Sequence, residues 1–192
     1  MKNKRDLRRS LLNKRERMSH QDWMEKSRLI QRHVLDLDEF QKAHSIGLYK
    51  AFRQEVATDI LFYQASRTKK RTCYPHLSCQ GENPPSIDFR EVQDLSGDME
   101  LTRWGFFQAR GSCEVLPLKD IDLYIIPAVG FDNRGYRLGM GWGTYDHSIR
   151  EVHGFKIGLA FDFQVVDEVF CESHDLRCDY VVTEERQQEI LE

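Results

Sequence analysis

The chain has 192 residues, 40% hydrophobic and 11% aromatic. That fits one domain with a sizeable core, since domains commonly run to ~100–200 residues, and it excludes a chain disordered as a whole. The net charge of −3 is uneven: residues 1–17 carry eight basic and two acidic side chains, a balance of +6 that leaves −9 on the rest, so the N-terminus is expected to meet an anion.

In chain order, residues 3–18 read as a helix, with Leu7, Leu11 and Met18 on one stripe and no Gly or Pro. These first residues hold no apolar h-region of a signal peptide. Asp6 and Glu16 are out of place in a transit peptide, so a cytoplasmic location is expected. A second helix is predicted to start after Ser19 as N-cap, with Asp22 three residues on, and to run through Ile30 to Leu35. Residues 45–49 (SIGLY) suit a buried strand, Thr58 opens a third helix, and residues 70–75 suit the next strand. A helix between two short strands predicts a βαβ unit with parallel pairing. Cys79 to Pro85 reads as a loop. Residues 86–92 alternate at period two, and 121–127 form the most convincing buried strand. A helix over 145–152 and strands over 156–161 and 179–183 complete the pattern. The expected fold is α/β: one domain over residues 1–192, a largely parallel central sheet flanked by helices, and an N-terminal helical extension. No apolar run approaches the ~20 residues of a membrane helix. The five cysteines are scattered with no CxxC, so reduced thiols are expected rather than a zinc ribbon or disulfide framework.

Between strand 121–127 and helix 145–152 lies Arg137-Leu138-Gly139-Met140-Gly141-Trp142-Gly143-Thr144-Tyr145-Asp146. Glycines at alternate positions permit positive φ, let a ligand touch backbone and turn N–H groups into one concavity. The start of the following helix adds its partial positive end, and Arg137 offers a planar fork suited to phosphate. No Gly-Lys-Ser/Thr follows, and the spacing is not G-x-G-x-x-G, so neither a Walker loop nor a dinucleotide fingerprint is present. GxGxG alone fits a Gly-rich turn as well as a phosphate cradle; Arg137 before it and Tyr145-Asp146 after it favour phosphate.

The run from Pro127 to Asp146, Pro-Ala-Val-Gly-Phe-Asp-x-x-Gly-x-Arg-Leu-Gly-x-Gly-x-Gly-x-Tyr-Asp, resembles the signature of the 5-formyltetrahydrofolate cyclo-ligases, also called 5,10-methenyltetrahydrofolate synthetases. The resemblance extends along the chain: Lys4, Leu7, Arg8, Leu12 and Arg15 in the opening helix, then Glu55-Val56-x-Thr58. Leu101-Thr102-x-Trp104 with Gln108, and Ile157 to Phe161 with Gln164, His174-Asp175 and Asp179 to Thr183, follow in order. It implies an ATP- and Mg²⁺-dependent ring closure of 5-formyltetrahydrofolate to 5,10-methenyltetrahydrofolate, with ADP and phosphate released. It implies ATP contacts from Lys4, Arg8, Arg137 and the segment Leu138, Gly139, Met140, Gly141, Trp142, Gly143, Thr144 and Tyr145. Folate contacts would come from Glu55, Trp104, Met140, Trp142, Thr144 and Tyr145, with Glu55 accepting from the amidine-like pterin edge. Arg137 and Gln108 would act on the transferred group and the formyl oxygen, and Asp146 and Asp179 would hold Mg²⁺.

Against these roles stand ordinary ones. Lys4 and Arg8 could be a solvated basic face, Glu55 a helix-start charge, Trp104 and Tyr145 core aromatics, Gln108 a surface amide, and Asp179 a polar strand start. Several positions depart from the family pattern: His147 takes a place often held by Arg, Phe107 and Ala109 stand where a Pro-containing turn is common, Phe170 replaces a frequent Pro, and two departures lie in the loop itself. Trp142 stands where a Gly, small or basic residue is usual, and Thr144 where an aromatic is usual. Either the indole replaces the missing ring, or the pocket serves a different ligand. The expected partners are ATP and a reduced folate, with no nucleic acid, no membrane and a monomeric chain. The alternatives are a catalytically weakened ATP/folate-binding relative and an ATP-dependent ligase acting on another formyl or amide compound.

Overall fold

The structure, a computed structural model, describes residues 3–78 and 86–190; the loop expected over 79–85 lies outside the described residues. Helix α1 (Lys4–Glu16) is capped by Asn3, whose Oδ1 accepts from the Asp6 N–H at 3.0 Å. It stops short of the expected residue 18, and its buried stripe is Leu7, Leu11 and Arg15. Met18 lies past the helix end and packs, half-buried, on the main core. Ser19 caps α2 (His20–Leu35) as predicted, its Oγ accepting from the Asp22 N–H at 3.0 Å. A five-residue helix, α3 (Asp38–Lys42), was not expected, because five residues cannot display a helical period.

Strand β1 (Ser45–Gly47), helix α4 (Asp59–Arg67) and strand β2 (Arg71–Ser78) form the predicted βαβ unit, with Ile46 opposite Thr72 in parallel register. β3 (Ser86–Glu91) runs antiparallel to β2 and turns Ile87 and Phe89 inward. β4 (Met99–Leu101) and β5 (Phe107–Ala109) pair with each other, and β6 (Val115–Leu116) pairs with β3. None of these three was predicted, because strands this short carry too few residues to alternate. β7 (Leu123–Pro127) is buried throughout. β8 (Gly130–Asp132), β9 (Arg137–Leu138) and β11 (Val165–Val166) make a separate three-stranded ribbon, and α5 (Thr144–Ile149), β10 (Phe155–Leu159), β12 (Tyr180–Val182) and β13 (Gln187–Glu189) complete the chain.

The eight-stranded sheet has the order β13-β12-β10-β7-β1-β2-β3-β6. Its five middle strands are parallel and its outer pairings are antiparallel. Period-two alternation divides the strands between two cores. Leu123 and Ile125 join Ile30, Phe40 and Leu61 on the face covered by α2, α3 and α4, whereas Tyr124 and Ile126 join Phe131 and Ile149 on the α5 face. The N-terminal helix is no loose extension: Leu7 and Leu11 form a third cluster with Val129, Leu138 and Val169. β1 is followed by β2 on one side, and β7 lies on its other side, so the strand order reverses between β1 and β7. In open α/β sheets a crevice forms at such a reversal, outside the carboxyl ends of the strands.

Candidate active site

That crevice is occupied by a cavity of ≈ 360 Å³. Tyr49 and Lys50, just past β1, and Pro127, the last residue of β7, line its floor; Arg137, Gly139, Met140 and Trp142 to Tyr145 line one side. Phe52, Trp104, Phe106 and Phe107 line the other. Hydrophobic packing brings the charges there. With Leu7 and Leu11 buried on Val129 and Leu138, Arg8 on the same helix meets the glycine loop. Its Nε donates to the Gly139 carbonyl at 2.7 Å. Arg137 is 7% exposed. Its Nε donates to the Pro127 carbonyl at 2.7 Å, Nη1 reaches Asp146 Oδ2 at 3.3 Å, and the guanidinium lies over the Tyr145 ring, 4.9 Å from its centroid.

The loop glycines have distinct reasons. A Cβ on Gly139 would sit 2.7 Å from Arg137 Nη1, so only a bare backbone fits beside that guanidinium. Gly141 has φ +102°, a conformation L side chains rarely adopt. Among the described residues, the N–H groups of Gly139 to Gly143 meet no protein acceptor. Helix α5 is only six residues long, shorter than the 145–152 expected, so these loop amides and the arginines, rather than a long helix dipole, make the loop attractive to anions. Burial and the charge of Arg137 lower the Arg8 pKa, against the pull of Asp175. Two cations held this close favour an anion between them.

Lys4, one turn before Arg8, is bound elsewhere: Nζ contacts Asp175 Oδ2 at 2.6 Å and Glu172 Oε1 at 3.0 Å. Burial pulls its pKa down, but the hydrogen bonds and charges of Asp175 and Glu172 prevail and raise it.

Glu55 also lines the cavity, with its side chain 12% exposed. Its Oε2 accepts from the Phe52 N–H at 3.1 Å, and Oε1 lies 3.9 Å from Arg15 Nη2. Burial raises its pKa, opposed by Arg15, the Phe52 N–H, Arg137 and Arg53. The turn that carries it is strained, since Arg53 and Gln54 have φ of 48° and 56° without being glycine. No Gly or Asn marks that turn in the sequence, which is why it was not expected. Arg15 was likewise visible only as part of a motif.

Trp142 packs against Trp104 (5.9 Å) and Phe106 (6.2 Å), and Trp104 stacks on Phe106 at an interplanar angle of 7°. The unusual indole therefore joins an aromatic wall of the cavity. Thr144 lines the cavity too, and its buried Oγ1 has no hydrogen-bond partner.

Gln108 does not join the cavity wall. Its Oε1 accepts from the Leu77 N–H at 3.1 Å and its Nε2 donates to Glu100 at 2.9 Å, tying β5 to β2 and β4. The amide expected to orient a formyl group is engaged at both ends by protein. Asp146 Oδ1 accepts from the Leu176 N–H at 2.9 Å, and Asp179 Oδ2 from the Lys156 N–H at 2.7 Å. Both aspartates act on the buried Cys178 thiol, whose pKa is pushed up to about 12 chiefly by burial. No group of three or more His, Cys, Asp or Glu that could hold a metal occurs among the described residues.

A profile of the 5-formyltetrahydrofolate cyclo-ligase family matches residues 1–184. The chain belongs to that family. It is 25% identical over 191 residues to the mouse 5-formyltetrahydrofolate cyclo-ligase, covering 95% of this chain and 94% of the relative. It is 31% identical over 145 residues to the Escherichia coli K12 enzyme of the same name, covering 73% and 78%. Its fold matches the NMR structure of Aquifex aeolicus 5,10-methenyltetrahydrofolate synthetase with a TM-score of 0.85 at 28% identity, over 98% of this chain and 93% of that one. As a cyclo-ligase family member the chain is an enzyme. Of the run from Pro127 to Asp146, Pro127, Arg137, Gly139, Met140 and Trp142 to Tyr145 line the cavity. No helix among the described residues is long and apolar enough to cross a membrane.

Proposed function

We propose that this cyclo-ligase family member converts 5-formyltetrahydrofolate to 5,10-methenyltetrahydrofolate, using ATP with Mg²⁺. The observation that carries the reading is the convergence of Arg8 and Arg137 on Gly139, beside a cavity that Glu55 and an aromatic wall also line. In this reading the ATP phosphates lie along the free N–H groups of Gly139 to Gly143, between the two guanidinium groups; Lys4, held by Glu172 and Asp175, would have to exchange those partners to reach an outer phosphate. The reduced pterin lies against Trp104, Trp142 and Tyr145, its amidine-like N–H edge on Glu55. Met140 and Thr144 fill the space between the two ligands.

The formyl oxygen attacks the γ-phosphorus and ADP departs, leaving the phosphoryl group on that oxygen. N10 then adds to the activated carbon and gives up its proton to the departing phosphate, the C–O bond breaks, and phosphate leaves with the 5,10-methenyl product formed. A formyl oxygen is a poor leaving group until it carries the phosphoryl group. The protein therefore has to position the reactants and neutralise charge. Arg137 serves both ends, because its position is fixed by Pro127, Asp146 and Tyr145 before any ligand enters.

The Asp146 carboxylate has the oxygen chemistry Mg²⁺ takes, and since an oxygen can accept more than one partner the ion would share Oδ2 with Arg137 and Oδ1 with the Leu176 N–H. That ion commonly takes one or two carboxylates plus substrate phosphates and waters, so a three-carboxylate cage is not needed. Asp146, with Asp179 as the second carboxylate, would hold it, and the ion would supply neutralisation of the β- and γ-phosphate oxygens. Gln108 is left out of the chemical step, since its amide is already hydrogen-bonded at both ends.

The test mixes protein, Mg-ATP and 5-formyltetrahydrofolate and follows methenyltetrahydrofolate by its near-UV absorbance. Turnover that is abolished in Arg137→Ala supports the reading. ATP binding without turnover at high enzyme concentration points to a binding relative. Turnover of ATP only with another formyl or amide compound points to a ligase of different specificity.

A further inference from the structure

Arg15 is 0% exposed, at the end of the buried stripe of α1. Its Nε donates to the Arg53 carbonyl at 3.0 Å and its Nη1 to the Ala128 carbonyl at 2.9 Å. Its Nη2 is buried with no hydrogen-bond partner and lies 3.9 Å from Glu55 Oε1. These contacts tie α1 to two pieces that shape the cavity. Arg53 is the first residue of the left-handed Arg53–Gln54 turn that delivers Glu55, and Ala128 follows Pro127, whose carbonyl fixes Arg137. A fully buried cation is costly, and two strained non-glycine residues persist only when their surroundings hold them. One side chain accounts for both features.

We propose that Arg15 is a positioning residue for ligand recognition: its buried guanidinium holds the Arg53–Gln54 turn and keeps the Glu55 carboxyl group aimed into the cavity, ready to accept from a pterin-like N–H edge. The inference rests on the reading of Glu55 as the folate contact. It assigns Arg15 no contact with substrate, and it explains why a basic residue ends a stripe that otherwise buries leucines. Other groups also face Glu55: Arg53 from its own turn, Arg137 from β9, and the phenols of Tyr49 and Tyr145. Of the three arginines, Arg15 alone has its residue completely buried, with an idle N–H pair at contact distance, so its removal leaves the carboxylate without its main counter-charge.

The experiment follows the Glu55 carboxyl by ¹³C NMR titration in the ligand-free chain, assigned with Glu55→Gln, and measures KM for 5-formyltetrahydrofolate and for ATP. In Arg15→Gln the Glu55 midpoint moves to higher pH. The folate KM rises on the order of tenfold, as when one charge-assisted hydrogen bond to a ligand is lost, while the ATP KM stays within twofold. Arg15→Lys, which keeps the charge but not the fork, returns the midpoint toward that of the parent yet leaves the folate KM raised. If Arg15→Gln does not fold, Arg15→Lys carries the test alone. Folded variants with an unchanged Glu55 midpoint and folate KM overturn the proposal, as does an equal rise in both KM values. Absence of folate binding by the parent chain defeats the functional reading instead, and the NMR titration still decides what Arg15 does to Glu55.

Discussion

Replacing Gly139 with alanine tests the idea that Arg137 works from a preset position. An added Cβ would lie 2.7 Å from Nη1 and 2.9 Å from Cζ and Nη2, whereas ordinary contact begins at 3.4 Å. The guanidinium must therefore retreat by about 0.7 Å, the difference between the 3.4 Å and 2.7 Å contacts. It cannot do so freely, being held by Pro127 at 2.7 Å, by Asp146 at 3.3 Å and by the ring of Tyr145 beneath it. Loss of one hydrogen bond to a charged group costs ~1.5–3 kcal/mol, and that amount at the transition state is roughly ten- to a hundredfold in rate. Gly139 has no positive φ, so alanine adds no backbone strain. The expected outcome is a ten- to hundredfold fall in kcat/KM for methenyltetrahydrofolate formation, with ATP present, and a melting temperature within a few degrees of the parent. Gly141→Ala is the contrasting variant. At φ +102° it is strained by ~1–3 kcal/mol, which a thermal melt detects directly. Parent-like kcat/KM in Gly139→Ala would refute the claim that the exact seat of Arg137 matters.

Three further outcomes are expected. Trp142→Gly removes ring contacts to Trp104 and Phe106, each worth ~0.5–1.5 kcal/mol, and should raise the folate KM several-fold with little effect on the ATP KM; an unchanged folate KM shows that the indole does no stacking on substrate. Gln108→Ala should lower stability by ~1–3 kcal/mol in urea unfolding, because the Leu77 N–H and Glu100 lose their partner, while kcat is preserved; a kcat collapse in a stable variant restores its catalytic role. Glu55 has a raised pKa in the folded chain, so it contributes stability below its unfolded value and loses it as pH rises through the folded one. Glu55→Gln should therefore melt no lower than the parent at neutral pH, while the acid limb of kcat/KM assigned to Glu55, lying above the ordinary glutamate range, disappears from the pH profile.

Elements with a clear period or cap were legible from the residues alone. Ser19 capped α2 as its spacing with Asp22 required, the β1–α4–β2 unit paired in parallel, and the all-apolar run of β7 became the buried middle of the sheet. Short strands such as β4, β5 and β6 were invisible because their pairing is decided by partners distant in the chain. The same limit applied to the site. The GxGxG loop with Arg137 marked a segment that lines the cavity, and the resemblance to the cyclo-ligases was legible over nearly the whole chain.

The order of residues specifies local chemistry: glycines that bare the backbone, an arginine beside them, and a basic first helix. How these groups are used depends on the folded arrangement. Packing of Leu7 and Leu11 on Val129 and Leu138 delivers Arg8 to Gly139, and leaves Lys4 with Glu172 and Asp175. It also turns Gln108 away from the cavity into a strand tie, and gathers Trp142 with Trp104 and Phe106. The physical reason is that hydrogen bonds, burial and charge pairing between distant residues depend on where the chain brings them together, and spacing along the chain specifies only their near neighbours.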